Sequence, residues 1–206
     1  MGVSRAGFHG TVGQPSAQVI DGSLKFDGST THLDRTPSSA SNRKTWTWSS
    51  WIKRSAFGAN ERVFQARDAN TGNQTFIQFR TDNKIYVGGN SDVFLVNTDR
   101  VFRDFGWGHL VVSFDTTQST ASNRIRIYCN GDLTDLSGTQ PTQDYSTSQI
   151  NSTLIHAIGN ESGGNAENFE GSLTNAYLID GQALDPTHFG FTDPLTNTWR
   201  PKKYEG

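Results

Sequence analysis

Apolar and polar side chains alternate along two neighbouring segments near the middle of the chain, Trp107–Asp115 and Ile125–Cys129. In the first segment, one parity consists of the apolar residues Leu110, Val112 and Phe114. In the second, apolar positions alternate with arginine and tyrosine. Successive side chains of a β-strand point to opposite faces, so both segments are predicted to be strands of a half-buried sheet.

The dipeptide Asn130-Gly131 follows the second segment directly and is typical of a tight hairpin turn. A type I′ turn needs positive φ at both central residues, which Asn and Gly adopt readily. The turn therefore indicates antiparallel pairing, and clusters of Gly, Asn, Asp and Ser separate further strand-like segments. We predict strands over residues 22–27, 30–35, 45–54, 61–67, 74–81, 84–88, 92–97, 107–115, 123–130, 153–159 and 169–180.

The spacing of these strands, without a repeat or a linker, predicts one all-β domain over residues 19–206, built as a two-sheet antiparallel sandwich. Residues 1–18 are mostly small or polar, and we expect them to form an extended arm that docks on neighbouring subunits. A single helical turn is predicted at Asp185–Phe189, because Asp185 can cap it and Pro186 suits its first position.

The aromatic residues and the single cysteine extend this picture of the core. Trp46 and Trp48 share a parity in their strand and are predicted to be buried, as is Trp107. Trp51 has the opposite parity, which predicts that this strand is covered on both faces. Cys129 cannot form an internal disulfide and is predicted to be a buried free thiol.

The net charge is −2, but basic and acidic residues are unevenly distributed along the chain. Residues 1–103 carry 13 basic and 8 acidic side chains, whereas residues 104–206 carry 5 and 12. A nucleic-acid-binding surface needs a basic stripe, and half of the chain has the opposite charge, so we exclude nucleic acid as a partner. The asymmetry favours subunits that contact one another through opposite ends.

The hydropathy of the chain argues against a membrane partner. No stretch approaches the run of apolar residues that spans a membrane. The first ten residues also lack the apolar core of a signal peptide. We therefore expect synthesis in a cytoplasm without a signal peptide.

The central segments resemble a known family. Trp107-Gly-His-Leu-Val-Val-Ser-Phe-Asp115 and the strand that ends in Tyr128-Cys-Asn-Gly131 are similar to the central pattern of laminin-G-like and pentraxin-like domains of the concanavalin A-like lectin/glucanase fold. Phe169–Asp180 is similar to the last strand of the same family, although Cys129 stands where valine is usual. The resemblance implies a jelly-roll sandwich.

Both ends of the domain resemble a version of this fold found in marine bacteriophage virion proteins. The similar segments are Ser23–Asp27, Leu33–Ala40, Arg43–Arg54, Ile179–Gly190 and Trp199–Tyr204. The resemblance implies a non-enzymatic structural protein on the virion surface, a capsid decoration, fibre or tail-associated protein. Its partners would be capsid or tail subunits and other copies of itself within the particle.

The same fold hosts lectins and enzymes, so two other functions stay open. One is a tail-fibre adhesin that binds host surface glycans, and the other is a glycan hydrolase. Hydrolases of this fold use a Glu-x-Asp-x-x-Glu strand, which the five Glu residues of this chain do not form. Glu167 and Glu170 are expected to be solvated, and His109 to be a packed, hydrogen-bonded residue. We therefore predict no catalytic residues and no enzyme activity.

Ligand sites are suggested only by residue type. No cofactor or metal is predicted, but calcium ligands of suitable chemistry occur in turns, at Asp82, Asp132, Asn160 and Glu161. These residues are also ordinary turn formers. A glycan site needs an exposed aromatic ring, and the candidates for the surface are Tyr86, Phe94, Tyr145 and Trp199.

Overall fold

The computed structural model describes residues 17–89, 93–103, 106–160 and 167–206. In this part of the chain, two antiparallel sheets pack face to face as a jelly-roll sandwich, which confirms the predicted fold class. Apart from residues 17 and 18, the predicted N-terminal arm lies outside the described residues. No helix in the described ranges is long and apolar enough to cross a bilayer.

The described residues contain fifteen strands. They are β1 (Leu24–Asp27), β2 (Leu33–Arg35), β3 (Thr45–Arg54), β4 (Glu61–Arg67), β5 (Gln74–Phe79), β6 (Ile85–Gly89), β7 (Phe94–Thr98), β8 (Gly108–Asp115), β9 (Ile125–Cys129), β10 (Asp132–Leu133), β11 (Leu136–Thr139), β12 (Ile155–Ile158), β13 (Glu170–Asp180), β14 (Gly190–Asp193) and β15 (Thr198–Pro201). All eleven predicted strands are confirmed. The additional strands, β10, β11, β14 and β15, have two to four residues each.

The strands form two large sheets and one separate hairpin. Sheet A has the order β1-β13-β3-β8-β9-β10, and sheet B has the order β11-β7-β6-β5-β4-β12-β2. The hairpin consists of β14 and β15. A 3₁₀ turn, Pro186–His188, precedes the hairpin, and the Asp185 side chain caps it by accepting the Thr187 amide. The predicted helical turn and its cap are therefore confirmed.

Aromatic pairs join the two sheets in the core. Trp48 of sheet A stacks on Phe64 of sheet B with ring centroids 4.3 Å apart. Trp46 is also fully buried, so both predicted core tryptophans are confirmed. The prediction for Trp107 is wrong, because its side chain is 43% exposed. Trp107 precedes β8, where the sheet is no longer fully covered.

The predicted surface position of Phe94 is also wrong. Phe94 starts β7 on the parity that faces the core, and it is fully buried against Phe114. The turn at Asn130-Gly131 is confirmed, with φ of 52° and 89°. Cys129 is a buried free thiol, as predicted.

A buried ion pair lies inside the sandwich, among the aromatic residues. Arg54 of β3 and Glu61 of β4 both point towards the core, and their side chains are 0% and 2% exposed. The Arg54 Nε donates to Glu61 Oε2 over 2.7 Å. Desolvation raises the pKa of Glu61, although the Arg54 charge opposes that shift. The guanidinium also lies 4.1 Å from the Phe79 ring centroid.

Candidate functional site

The outer face of sheet A carries a row of stacked aromatic rings. Trp51 of β3 stacks on His109 of β8, with ring centroids 5.1 Å apart and an interplanar angle of 21°. The His109 ring stacks in turn on Trp199 of β15, at 6.0 Å and 18°. Trp51 is only 8% exposed, which confirms the prediction that β3 is covered on both faces.

His109 holds this row together through both ring nitrogens. Its Nδ1 accepts the indole N–H of Trp199, because an indole nitrogen can only donate. The neutral ring therefore carries its proton on Nε2, which donates to the Ser49 hydroxyl over 2.9 Å. Burial lowers the pKa of His109 to about 3. The predicted packed, hydrogen-bonded histidine is confirmed.

Trp199, a predicted candidate for the surface, is half-buried and has a packing role. A Cβ placed on Gly131 would lie 2.6 Å from the Trp199 ring, and one on Gly190 would lie 2.5 Å from it. The indole is therefore confined on two sides by glycine backbone. Its only donor is used by His109. The ring fixes the β14–β15 hairpin to sheet A.

A pocket of about 340 Å³ opens beside this row. It is lined by Ile20, Asp21, Gly22, Ser23, Trp51, Trp107, Thr174 and Pro201. We call it the Trp107 pocket. Its walls come from three places in the fold, namely the chain before β1, the sheet A strands, and the end of β15.

The Trp107 pocket combines an accessible aromatic ring with oxygen-rich polar groups. Trp107 is 43% exposed and Asp21 is exposed. The Thr174 hydroxyl donates to the Gly22 carbonyl, which ties the segment before β1 to β13. An apolar wall with a few polar groups at its rim is the usual composition of a small-molecule site. The sequence assigned Trp107 to the core and did not single out Asp21.

The other predicted glycan residues are used by the protein itself. Tyr86 is half-buried, with its hydroxyl bound to Asp82 and the Arg80 guanidinium 4.3 Å from its ring centroid. Burial and the Asp82 carboxylate raise the pKa of Tyr86. Tyr145 is half-buried and packs edge-on against Phe94, with centroids 5.6 Å apart. The structure does not bring Tyr86, Tyr145 and Trp199 together.

The predicted calcium ligands lie in separate turns. Asp82 accepts the Lys84 amide and the Tyr86 hydroxyl, so its oxygens have protein partners. Asp132 begins β10, and Asn160 follows β12. Glu161 lies outside the described residues. Among the residues the structure describes, no three His, Cys, Asp or Glu side chains are grouped so that they could hold a metal ion.

The described glutamates near the start of β13 have structural contacts. Glu167 pairs with Arg62, rather than being solvated as expected. Glu61 is held by Arg54, and its other oxygen accepts the Glu170 amide over 3.2 Å. These contacts fix the loop before β13 to sheet B.

Comparison with known proteins places the fold in a family. Residues 27–188 match the family model described as the concanavalin A-like lectin/glucanases superfamily. The chain belongs to this superfamily. The recognised laminin-G-like domain is thereby confirmed. No curated protein matches the chain.

Solved structures share the fold of this superfamily member at low sequence identity. The heptameric SAP-like pentraxin of Limulus polyphemus has a TM-score of 0.56 and 16% identity, covering 78% of this chain and 76% of the pentraxin chain. Domains LG4-5 of the mouse laminin alpha1 chain have a TM-score of 0.56 and 11% identity, over 85% of this chain. This chain spans only 46% of that laminin chain.

A third structure is that of a carbohydrate-binding module. The Ruminococcus gnavus IT-sialidase CBM40 bound to alpha2,3 sialyllactose has a TM-score of 0.52 and 10% identity. The match covers 73% of this chain and 92% of the module. At these identities the likeness establishes a shared lectin-like fold.

Proposed function

We propose that this lectin-like sandwich is a non-enzymatic module that binds a carbohydrate in the Trp107 pocket. The observation that carries the proposal is the exposed Trp107 ring at the mouth of a pocket that also presents Asp21. The apolar face of a sugar ring packs on an indole, while its hydroxyl groups need nearby acceptors and donors. Asp21 and Ser23 offer those groups at the rim of the pocket.

The contacts of the carboxylates support a binding function rather than catalysis. Acid/base hydrolysis of a glycan needs two carboxyl groups that face one substrate. Glu61 forms a buried ion pair with Arg54, and Glu167 is paired with Arg62. The Trp107 pocket presents one carboxylate, Asp21, among its lining residues. That arrangement suits recognition.

Binding through this pocket does not require calcium. The lining residues supply one carboxylate, whereas calcium takes six to eight oxygen ligands, usually with several carboxylates. We therefore expect sugar binding to persist in a chelator. A requirement for calcium would indicate a different site.

A glycan array of bacterial and host surface sugars, read with and without EDTA, tests the proposal. We expect the parent chain to bind at least one sugar class in both buffers. Trp107→Ala should weaken that binding at least tenfold. Phe57→Ala is the matched control, because Phe57 is 44% exposed but does not line the pocket. An array without signal, or equal binding by Trp107→Ala, would contradict the proposal.

A second proposed function is structural, on the surface of a bacteriophage particle as a capsid decoration, fibre or tail-associated protein. The two C-terminal segments that resemble virion proteins pack together here. Ile179, Phe189 and Tyr204 belong to one cluster on the outer face of sheet A. The segments thus form one structural unit. The resemblance of their sequences to virion proteins is what supports this second proposal.

The two functions are compatible, because an adhesin is also carried on a particle. Quantifying the protein in purified particles separates the locations. A copy number equal to that of the capsid subunits would support decoration, and one equal to that of the tail fibres would support an adhesin. Absence from purified particles would contradict both virion locations while leaving sugar binding intact.

A further inference from the structure

A second pocket opens between the two sheets, on the side of the sandwich where β2 is the edge strand of sheet B. It has a volume of about 420 Å³, and β2, β12 and the last residues of β13 contribute to its walls. We call it the Arg35 pocket. None of its lining residues lines the Trp107 pocket. Its volume lies in the range of about 300–1,000 Å³ that is typical of small-molecule sites.

The inner walls of the Arg35 pocket are apolar. The stacked rings of Trp48 and Phe64 are its most buried lining residues. Ile158 and Leu178 also line it, and both pack against the core. Leu33 lines the pocket as well and is 47% exposed, so apolar surface is left in contact with water. A ligand that covered this surface would gain hydrophobic free energy.

Arg35 brings a positive charge to the wall of this pocket. It lies directly opposite His156 across β2 and β12, so the two side chains share one face of sheet B. Burial lowers the pKa of His156, and the nearby Arg35 charge lowers it further. Among the described residues, the Arg35 guanidinium has no hydrogen bond or ion pair. All of its N–H donors are therefore free for a ligand.

The neighbouring His156 is neutral and has its own partners. Its Nε2 accepts the Asn151 amide over 3.0 Å, so the proton lies on Nδ1. That nitrogen donates to the Leu154 carbonyl over 2.8 Å. His156 therefore adds no second positive charge to the pocket.

The two carboxylates among the lining residues differ from Arg35 in direction or in bonding. Asp180 Oδ1 accepts two N–H donors, one of them from the Asn151 side chain. Asp34 pairs with Ala157, one position along β2 from Arg35, so its side chain points to the opposite face of the sheet. Arg35 is thus the charged residue that faces the pocket without a partner.

We propose that the Arg35 pocket binds a small amphipathic carboxylate, a carboxylate group on an apolar chain. The carboxylate would bind the Arg35 guanidinium, whose fork of N–H donors matches two carboxylate oxygens. The apolar chain would cover Leu33 and extend along Ile158 and Leu178 towards Trp48. The inference goes beyond sugar binding and uses no residue of the Trp107 pocket, so the two proposals can fail separately.

Titration with decanoate below its micellar concentration tests the proposal, read from the indole N–H signals of a ¹H–¹⁵N spectrum. We expect the Trp48 signal to shift and the Trp107 signal to stay in place. The affinity should rise about fourfold for each methylene group added between hexanoate and decanoate, the ratio that corresponds to about 0.8 kcal/mol per buried CH₂. Decyltrimethylammonium has the same chain and the opposite charge, and it should bind roughly tenfold more weakly.

Arg35→Gln tests the role of the charge. We expect it to weaken decanoate binding about tenfold, because a charge-assisted bidentate contact is lost. Arg43→Gln is the matched control and should leave binding unchanged, because Arg43 is exposed on the connection from β2 to β3 but does not line the pocket. Urea unfolding of both variants checks that the fold is kept.

Three results would overturn the proposal. One is a Trp48 signal that does not move at the highest decanoate concentration. The second is equal decanoate binding by Arg35→Gln and the parent chain. The third is equal binding of decanoate and decyltrimethylammonium, which would show that the pocket recognises the apolar chain alone.

Discussion

The indole N–H of Trp199 donates to Nδ1 of His109 over 3.0 Å. This bond ties the C-terminal hairpin to the middle of sheet A. Pro201, two residues further along the same strand, forms a wall of the Trp107 pocket. The shape of the pocket therefore depends on a contact between two residues that do not line it.

Trp199→Phe tests this attachment. The change keeps an aromatic ring between the glycines but leaves the His109 acceptor buried without its donor, which costs about 1–3 kcal/mol. Urea unfolding should show that loss. Trp107→Phe is the matched control on the exposed side and should change the free energy of unfolding by less than about 0.5 kcal/mol. Equal effects of the two changes would contradict the assigned roles.

The pH dependence of stability should reflect His109. Its pKa is lowered from 6.5 to about 3 in the folded chain, so the unfolded chain binds more protons between these values. Neutral His109 contributes fully to the free energy of unfolding above the pKa that it has in the unfolded chain. That contribution is lost as the pH falls towards the pKa that it has in the folded chain. One such group contributes a slope of about 1.4 kcal/mol per pH unit.

Urea unfolding between pH 4 and pH 6 measures that slope. His109→Gln should reduce it by about 1 kcal/mol per pH unit, which is most of one group's contribution. His156, whose pKa is also lowered by burial, should contribute to the pH dependence that remains. A slope indifferent to His109→Gln would show that the ring is not held neutral.

Alanine substitutions at two glycines with positive φ distinguish the cost of backbone strain from the cost of a steric clash. Gly131 has φ of +89°, and an added Cβ would meet the Trp199 ring at 2.6 Å. Gly72 has φ of +74° with no atom within 4 Å of an added Cβ. Gly72→Ala should lower the free energy of unfolding only through the strained positive φ, by about 1–2 kcal/mol. Gly131→Ala should cost clearly more in chemical denaturation, and equal costs would contradict the close packing of Trp199.

The buried Arg54–Glu61 pair should be sensitive to removal of one partner. Glu61→Gln leaves the Arg54 charge uncompensated in the core, which costs about 3–5 kcal/mol. Arg54→Leu/Glu61→Leu removes both charges and should cost less than the sum of the two single changes to leucine. Glu205→Gln, at an exposed position, is the control. An additive double variant would mean that the two charges do not interact.

The longer strands could be predicted because alternation of side chains is a local signal. The strands β10, β11, β14 and β15 were missed because each has at most one large apolar residue and so shows no alternation. The buried pair of Arg54 and Glu61 was also missed, since charged residues in a strand are normally assigned to the solvent face. Only the partner across the core explains their burial.

The burial of Trp107 and Trp199 could not be predicted from the alternation of side chains along a strand. Trp107 and His109 share a face of sheet A, but Trp199 covers only His109. Parity assigns a side chain to a face and cannot tell how far a distant segment extends over that face. Trp107 was therefore placed in the core although its side chain is 43% exposed, and the half-burial of Trp199 against His109 was missed.

The central claim is that sugar binds at the Trp107 pocket, and the indole signals of the protein test it directly. The chain has five tryptophans, so a ¹H–¹⁵N spectrum resolves five indole N–H groups, assigned by single Trp→Phe variants. Titration with a sugar found on the array should shift the Trp107 and Trp51 signals and leave the buried Trp46 and Trp48 signals in place. Saturable binding that leaves the Trp107 signal unmoved would contradict the account.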